Sequence, residues 1–431
     1  MVVPLLMRWQ GQLRVGDDVL HRLEWLSASV LMLLLSGLPL LTRTGLALLI
    51  AATGLLWLLW SLVTPAERIS PISGWLLLFL GIAALATGFS PVPVAAAKGL
   101  VKLISYLGVY ALIRKVLERD PRWWNRLVAA LLGGGLLSSV LALRQLYATT
   151  EELALWADPN SITEGTIRIY GPLGNPNLLA GYLLAMLPLA AVAVLQWSGI
   201  GSRLFAGVTL LLGGLATVLT YSRGGWLGLV SCLSVLVVLL LIRATRHWPP
   251  MLRRLAPLLM LFLGAAVLAI AATKVEPIRT RLVSLMAGRG DSSNNFRINV
   301  WLASIDMVQD RPWLGIGPGN NAFNRIYPLY QQPKFNALSA YSVPLEILVE
   351  TGVAGLLASL GLLFSSFRSG LRGLSLDEPA AGACLASLAA IAGLLGQGVA
   401  DTIFFRPEVQ LIGWFCLATL AAQTPSSNET S

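Results

Sequence analysis

The sequence predicts an all-α polytopic membrane protein, and both its composition and its long apolar segments support this class. Of its 431 residues, 56% are hydrophobic and 12% are charged, and the mean hydropathy is +0.72. Soluble domains are about 45–50% apolar and about 25% charged. We therefore treat residues 1–431 as a single transmembrane domain.

About twelve apolar runs qualify as transmembrane helices, because a helix that crosses the bilayer core needs about 20 apolar residues. They lie at 26–42, 45–63, 74–90, 95–113, 127–143, 177–195, 204–221, 225–242, 255–273, 344–366, 380–400 and 408–423. Two connecting segments, 144–176 and 274–343, are much longer than ordinary connections. Long loops in compact proteins are usually functional or disordered.

The basic residues predict the side of the membrane that each connection occupies. If the N-terminus is cytoplasmic, sixteen of the 31 Lys and Arg residues fall in inner segments and five in short outer segments. Eight more lie in 274–343, and long translocated loops are largely exempt from the positive-inside rule. An even number of helices then predicts that both termini are cytoplasmic and that the two long segments are outer loops.

The net charge of +10 is interpreted as this topology signal, since no basic helix or array of basic and aromatic residues indicates a nucleic-acid partner. Cys232, Cys384 and Cys416 lie inside apolar runs without the spacing of metal ligands, so we predict buried packing residues. The sequence predicts neither a metal site nor a cofactor.

An amphipathic helix is predicted within the large outer loop, at 297–309. One helical stripe carries its apolar residues, namely Ile298, Trp301, Leu302, Ile305 and Val308. Asn299 and Ser304 fall elsewhere, and Asn294 or Asn295 is the expected cap. Such a helix is typical of a membrane interface. The glycine-rich "GIGPGN" that follows is interpreted as a turn, because no strand precedes it.

Basic residues at membrane depth are candidate anion ligands. Lys98 and Lys102 are four residues apart and share a helix face, so they either extend to the interface or form an anion site inside the bundle. Arg223 stands at an outer helix turn, where Gly224 and Gly225 permit a tight backbone. An arginine there is suited to bidentate binding of phosphate or carboxylate.

The large loop adds Arg279, Arg281 and Arg297 to the same outer face. These arginines are either a solvated basic surface or part of the anion site that Arg223 would form. The second interpretation is stronger for Arg297, which begins the amphipathic helix and would point toward the membrane.

Two glutamates, Glu346 and Glu350, lie four residues apart in the apolar helix that follows "SAYSVP". Acidic residues near a helix N-terminus favour the helix dipole and can pair with arginines of the preceding loop. Glu350 lies deeper, where water is less able to solvate it, so a functional role is the alternative interpretation.

Three sequence blocks together are distinctive. They are "YGPLGNPNLLAGYLLAMLPL" at 170–189, "YSRGGWLG" at 221–228, and the run from "GRGDSSNNFRINVW" through "DRPWLGIGPGNNAFNRIYPLYQQ" to "SAYSVPLEILVETG". They resemble the O-antigen ligase and polymerase superfamily with its Wzy-type C-terminal domain. The segments "DSSNNFRINVW" and "SAYSVPLE" are similar to those of the cyanobacterial IctB family, whose members are described as bicarbonate transporters.

The resemblance implies a helical protein of the bacterial inner membrane that handles a polyprenyl-diphosphate-linked glycan at the periplasmic face, without a metal. The two long loops would then be periplasmic, and the ligase-like region would span about 200–366. By residue match, Arg223 in "SRGG" and Arg297 in "FRINVW" resemble the arginines that hold the diphosphate. Glu350 and Gly352 match the end of the motif that contains the ligase histidine.

The sequence departs from that motif at the histidine, where Tyr341-Ser342 stands. A tyrosine has an ordinary pKa near 10 and is a poor general base at neutral pH. Burial makes a carboxylate a stronger base, so Glu346 or Glu350 is the expected substitute. If neither substitutes, the ligase reaction is impaired or absent.

Three functions remain open. The first is ligase- or polymerase-type transfer of a lipid-linked glycan to an acceptor, with Arg223 and Arg297 on the diphosphate. The second is bicarbonate transport or inorganic carbon accumulation, in which Lys98, Lys102 and Arg223 would bind the anion. The third is a non-catalytic binding protein, since Tyr341 stands at the histidine position. Membrane lipid is a partner in each case.

Overall fold

The computed structural model describes residues 16–65, 68–147, 168–274, 279 and 288–423, apart from four side chains between 267 and 272. Within these ranges all regular elements are helices, joined by turns and short 3₁₀ segments. The α-helices are α1 Asp17–Gly37, α2 Arg43–Val63, α3 Pro71–Gly88, α4 Pro93–Arg119, α5 Trp123–Arg144, α6 Pro176–Gln196, α7 Ile200–Leu219, α8 Arg223–Ala244, α9 Pro250–Lys274, α10 Ser292–Asp310, α11 Asn320–Ile326, α12 Val343–Gly373, α13 Ala380–Gly398 and α14 Pro407–Ala422.

The predicted all-helical class is confirmed for the described residues, and the apolar helices support a membrane protein. Nine helices of the described residues are long and apolar enough to cross a membrane, namely α1, α2, α3, α5, α6, α7, α8, α12 and α13. The other three predicted runs coincide with α4, α9 and α14. Because α14 has 16 residues and α4 carries several charges, the count of twelve spans stays a prediction, as do the sidedness and the large loop. Most of the smaller loop, 148–167, lies outside the described residues.

Helices α6 and α13 form the centre of the bundle and are buried on nearly every side. Both helices are apolar on all sides, and a helix of this kind is normally buried in a core. Small residues allow close packing: a Cβ at Gly228 of α8 would lie 2.7 Å from the carbonyl oxygen of Gly393 in α13. The three cysteines are free and buried in helices, as predicted.

Helix α10 contains the predicted amphipathic segment, but its buried face differs from the apolar stripe. Val300, Ala303 and Met307 pack into a second core together with α11, the segment 327–341 and Val349 of α12. Leu302 and Ile305 of the stripe are 49% and 44% exposed. Packing against neighbouring elements, rather than the position of the apolar stripe, therefore determines which face of α10 is buried. Whether the exposed stripe lies on a membrane stays a prediction.

Two details predicted for this helix are wrong. Asn299 and Ser304, expected on the polar side, are buried because α10 turns that face toward α12. The cap is Asp291 rather than an asparagine, since its Oδ1 accepts a hydrogen bond of 3.1 Å from the Asn294 N–H. A carboxylate at this position also favours the helix dipole.

Helix α12 is broken at Gly352, where φ is 66° and ψ is −167°. The glycine-rich segment after α10 forms a turn, as predicted, and this turn docks at the break. The N–H of Ile316 donates to the Val349 carbonyl and the N–H of Gly317 donates to the Glu350 carbonyl, each at 2.9 Å. The N–H of Val353 donates to Pro312 at 2.8 Å. These hydrogen bonds hold the first two turns of α12, which carry Glu346 and Glu350, against the glycine-rich turn.

Candidate functional site

The candidate site lies at the end of the bundle where α8, α10 and α12 begin, and we call this the site end. The turn 398–402 between α13 and α14 closes it from one side. A Cβ built at Gly224, in the first turn of α8, would lie 3.9 Å from the Asp401 Cβ. In the adjoining loop, Ser339 and Thr402 share a hydroxyl hydrogen bond of 2.6 Å.

Arg223 is buried at the start of α8 and is bound by the protein's own carboxylate. Its Nη2 and Nη1 donate to the two Asp291 oxygens at 2.7 and 2.9 Å, and Nη1 also donates to Asn294 Oδ1 at 2.8 Å. Tyr221, two residues earlier, has φ +48°, a conformation that side chains rarely adopt. Asp291 was not among the predicted site residues, because the predicted helix began at 297 whereas α10 begins at Ser292, directly after Asp291.

Arg297 lies six residues after Asp291 on α10, and it keeps an unused donor. Its Nη1 donates to Ser293 Oγ at 2.9 Å. Its Nε is buried and has no hydrogen-bond partner. A buried donor without an acceptor costs about 1–3 kcal/mol. Arg297 therefore keeps a buried donor that the described residues do not satisfy, and its predicted role in anion binding stays a prediction.

Tyr341 lies beside Arg297 in a left-handed backbone conformation, with φ +51°. Its ring packs edge-on against Phe296 at a centroid distance of 5.4 Å. Burial raises the pKa of the Tyr341 hydroxyl above its ordinary value, and the nearby Asp401 raises it further. The hydroxyl therefore stays protonated at neutral pH, which supports the expectation that Tyr341 is a poor base.

Asp401 is a second buried acid at the site end that was not among the predicted site residues. It is 4% exposed, and its Oδ1 accepts a hydrogen bond of 2.8 Å from the Thr402 N–H. Burial raises its pKa, whereas the positive charges of Arg297 and Arg168 act in the opposite direction. Asp401 is therefore a buried acid that lies near two arginines.

Glu346 and Glu350 are both buried, and their carboxyl groups lie within hydrogen-bonding reach of each other. The N–H of Ala340 donates to Glu346 Oε2 at 2.5 Å, and the N–H of Gly319 donates to Glu350. The alternative that Glu346 pairs with an arginine of the loop finds no support in these contacts. Two adjacent carboxyl groups out of water are most stable when they share one proton. The pair can therefore accept or release a proton.

The two lysines of α4 lie in different environments. Lys102 is half-buried, donates to the Phe405 carbonyl at 2.8 Å, and lies near Glu350. Its Nζ is 5.4 Å from the centroid of the Tyr106 ring. Lys98 is exposed. Of the loop arginines, Arg279 is exposed and Arg281 lies outside the described residues.

A cavity of about 260 Å³ extends from the site end into the bundle, between α3, α4, α12, α13 and α14. Its walls are almost entirely apolar, and its two charged lining residues are Lys102 and Glu350. Leu360 and Leu395 also line it and are 52% and 38% exposed on the outside of the bundle. The cavity therefore opens sideways, toward the surface that would face lipid.

Residues 207–360 match the family model described as O-antigen ligase. The matched segment runs from α7 into α12 and contains Arg223, Asp291, Arg297, Tyr341, Glu346 and Glu350. No curated protein matches the chain. The fold and this match support the resemblance to the O-antigen ligase superfamily. The similarity to the IctB family stays a prediction.

Proposed function

We propose that this chain binds a polyprenyl-diphosphate-linked glycan at the site end and transfers the glycan to an acceptor, in the periplasmic leaflet of a bacterial inner membrane. One observation carries the proposal: an apolar cavity that opens sideways is lined by Glu350 and Lys102, and Arg297 at the same end of the bundle has a buried donor without an acceptor. A ligand for such a site is an amphiphile with an anionic head and a hydrocarbon chain.

In the proposed reaction, each of these groups has a separate role. The acceptor hydroxyl attacks the anomeric carbon, the bond from that carbon to the diphosphate oxygen breaks, and the diphosphate leaves with the electron pair. Arg297 stabilises the negative charge that develops on the leaving group. The hydroxyl proton passes to the carboxyl pair, in which Glu350 lines the cavity and Glu346 lies behind it.

Bicarbonate transport receives less support from the geometry. The three cations that would bind bicarbonate differ in environment, because Lys98 is exposed while Arg223 is bound to Asp291. A non-catalytic binding role at the same site remains the alternative. A measurement of glycan turnover distinguishes this role from glycan transfer.

A deletion strain tests the proposed function directly. We expect it to lose an envelope polysaccharide that wild type restores and Arg297→Ala does not, since Arg297 holds the free donor. The glycan profile of the extracted envelope is the measurement. An unchanged profile would contradict glycan transfer, and bicarbonate flux in liposomes containing only this protein would then favour transport.

The cavity provides a separate prediction about the lipid chain. Ile347 lines the cavity, and Ile347→Trp fills it, so binding of undecaprenyl diphosphate should weaken about tenfold or more through lost apolar contact. Leu357→Trp is the matched control, because Leu357 is on the same helix and points outward. Native mass spectrometry of protein in nanodiscs measures both. Equal binding by the two variants would show that the chain lies elsewhere.

A further inference from the structure

We propose that Lys102 is a positioning residue for the carboxyl pair: its positive charge, fixed in the wall of the cavity, keeps one negative charge on Glu346 and Glu350. The inference deepens the proposed function and rests on it, because only a pair that is still ionised can take the proton of the acceptor hydroxyl. This role differs from the direct anion binding that the sequence predicts for Lys102.

Helix packing brings Lys102 to the same part of the cavity wall as Glu350. Helix α4 meets the glycine-rich turn at Gly99, where a Cβ would lie 2.9 Å from the Gly319 Cα. The N–H of Gly319 donates to Glu350. Lys102 follows Gly99 by three residues, about one helical turn along the same face. All four residues line the cavity, so the lysine and the glutamate share one wall.

The ammonium group of Lys102 is held in this wall by groups that stabilise a cation. Its Nζ donates to the Phe405 carbonyl at 2.8 Å and lies 5.4 Å from the centroid of the Tyr106 ring. A carbonyl oxygen and an aromatic ring both attract a positive charge out of water. Lys102 therefore acts on Glu350 through space rather than by a direct bond.

The charges around the cavity are arranged so that Lys102 balances the pair. Glu350 acts on Lys102 more strongly than Arg406 and Glu408 at the start of α14, which have opposite signs. The charged groups that act on Glu350 are Glu346 and Lys102. Helices α3 and α13 add no charged residue to the described lining. Two carboxyl groups that share one proton carry one negative charge, which a single lysine neutralises.

This balance decides whether the pair can act as a base. Burial favours the neutral form of a carboxyl group, so a pair without a nearby cation takes up a second proton. A doubly protonated pair cannot accept the proton of the acceptor hydroxyl. The charge of Lys102 therefore maintains the proton acceptor that the proposed reaction requires.

The test follows the protonation of the pair by infrared spectroscopy of purified full-length protein in nanodiscs. The carbonyl band of protonated carboxyl groups grows as the pH falls, and comparison with Glu350→Gln identifies the part that belongs to the pair. Lys102→Gln removes the charge but keeps a donor for the Phe405 carbonyl. Lys102→Met removes both the charge and the donor, whereas Lys102→Arg keeps both.

We expect Lys102→Gln and Lys102→Met to move the midpoint of this band to higher pH by at least about one unit, a tenfold change in proton affinity. A carboxylate that loses a neighbouring cation holds its proton more tightly. Lys102→Arg should stay close to wild type. Lys98→Met is the matched control, because Lys98 is one turn away on the same helix but exposed, and it should leave the midpoint unchanged.

Other patterns would overturn the inference. An unchanged midpoint in both neutral variants would show that the charge does not act on the pair. A shift in Lys102→Met but not in Lys102→Gln would assign the effect to the hydrogen bond with Phe405. If both neutral variants bind undecaprenyl diphosphate about tenfold more weakly and the band does not move, Lys102 contacts the anion instead. Thermal unfolding confirms that each variant is folded.

The infrared band requires neither a glycan donor nor an acceptor, so this test is independent of glycan transfer. If the neutral variants shift the band but wild type does not bind undecaprenyl diphosphate, the proposed function fails while the charge balance stands. If wild type binds the lipid and the band does not move, the inference about Lys102 fails while the proposed function stands.

Discussion

Gly352→Ala is expected to abolish the folded protein, or to leave a small unstable fraction. With φ at 66° and ψ at −167°, Gly352 has a backbone conformation that is essentially restricted to glycine. A Cβ there would lie 2.3 Å from both the carbonyl carbon and the carbonyl oxygen of Trp313. Backbone strain and the displaced turn together should cost at least about 3 kcal/mol.

Gly214→Ala is the matched control for this prediction. Gly214 is also a glycine within an apolar helix, α7, but a Cβ at this position meets no atom within 4 Å. Alanine is the better helix former, so stability should be unchanged or slightly raised. Size-exclusion profiles and thermal unfolding in detergent compare the two variants. If Gly352→Ala unfolds at the temperature of wild type, the turn at 312–319 does not hold α12 in the way described.

Glu350→Gln is expected to lower glycan transfer about 100-fold or more while leaving diphosphate-lipid binding nearly unchanged. Glutamine keeps the shape and the hydrogen bond from Gly319 but cannot take the proton of the acceptor hydroxyl. Glu346→Gln should have a smaller effect, because Glu346 does not line the cavity and acts through Glu350. Single-turnover transfer in proteoliposomes, with binding measured in parallel, separates the two steps.

Tyr341→Phe is the control for the position that holds histidine in the ligases. Its hydroxyl stays protonated, so removing it should change transfer only a few-fold. If Tyr341→Phe abolishes transfer while Glu350→Gln does not, the carboxyl pair is not the base. Lipid binding by wild type with no transfer to any acceptor would favour the non-catalytic alternative.

The sequence alone determines the class of fold, because the requirement for a membrane-spanning helix is local. Each span must satisfy its backbone hydrogen bonds within itself, so an apolar run of sufficient length already specifies a membrane helix. The turn formed by "GIGPGN" is equally local: glycine at positive φ allows Gly315, Gly317 and Gly319 to approach α12. The matched arginines and the two glutamates could also be selected from the sequence.

What each charged group does was decided by the tertiary structure. Arg223 meets Asp291, 68 positions away, and Asp401 approaches Arg297 and Tyr341 from a turn that sequence patterns connected to neither. The buried face of α10 differs from its apolar stripe for the same reason. Partners and burial depend on which helices pack together, and out of water those partners determine whether a charge is neutralised or remains available to a ligand.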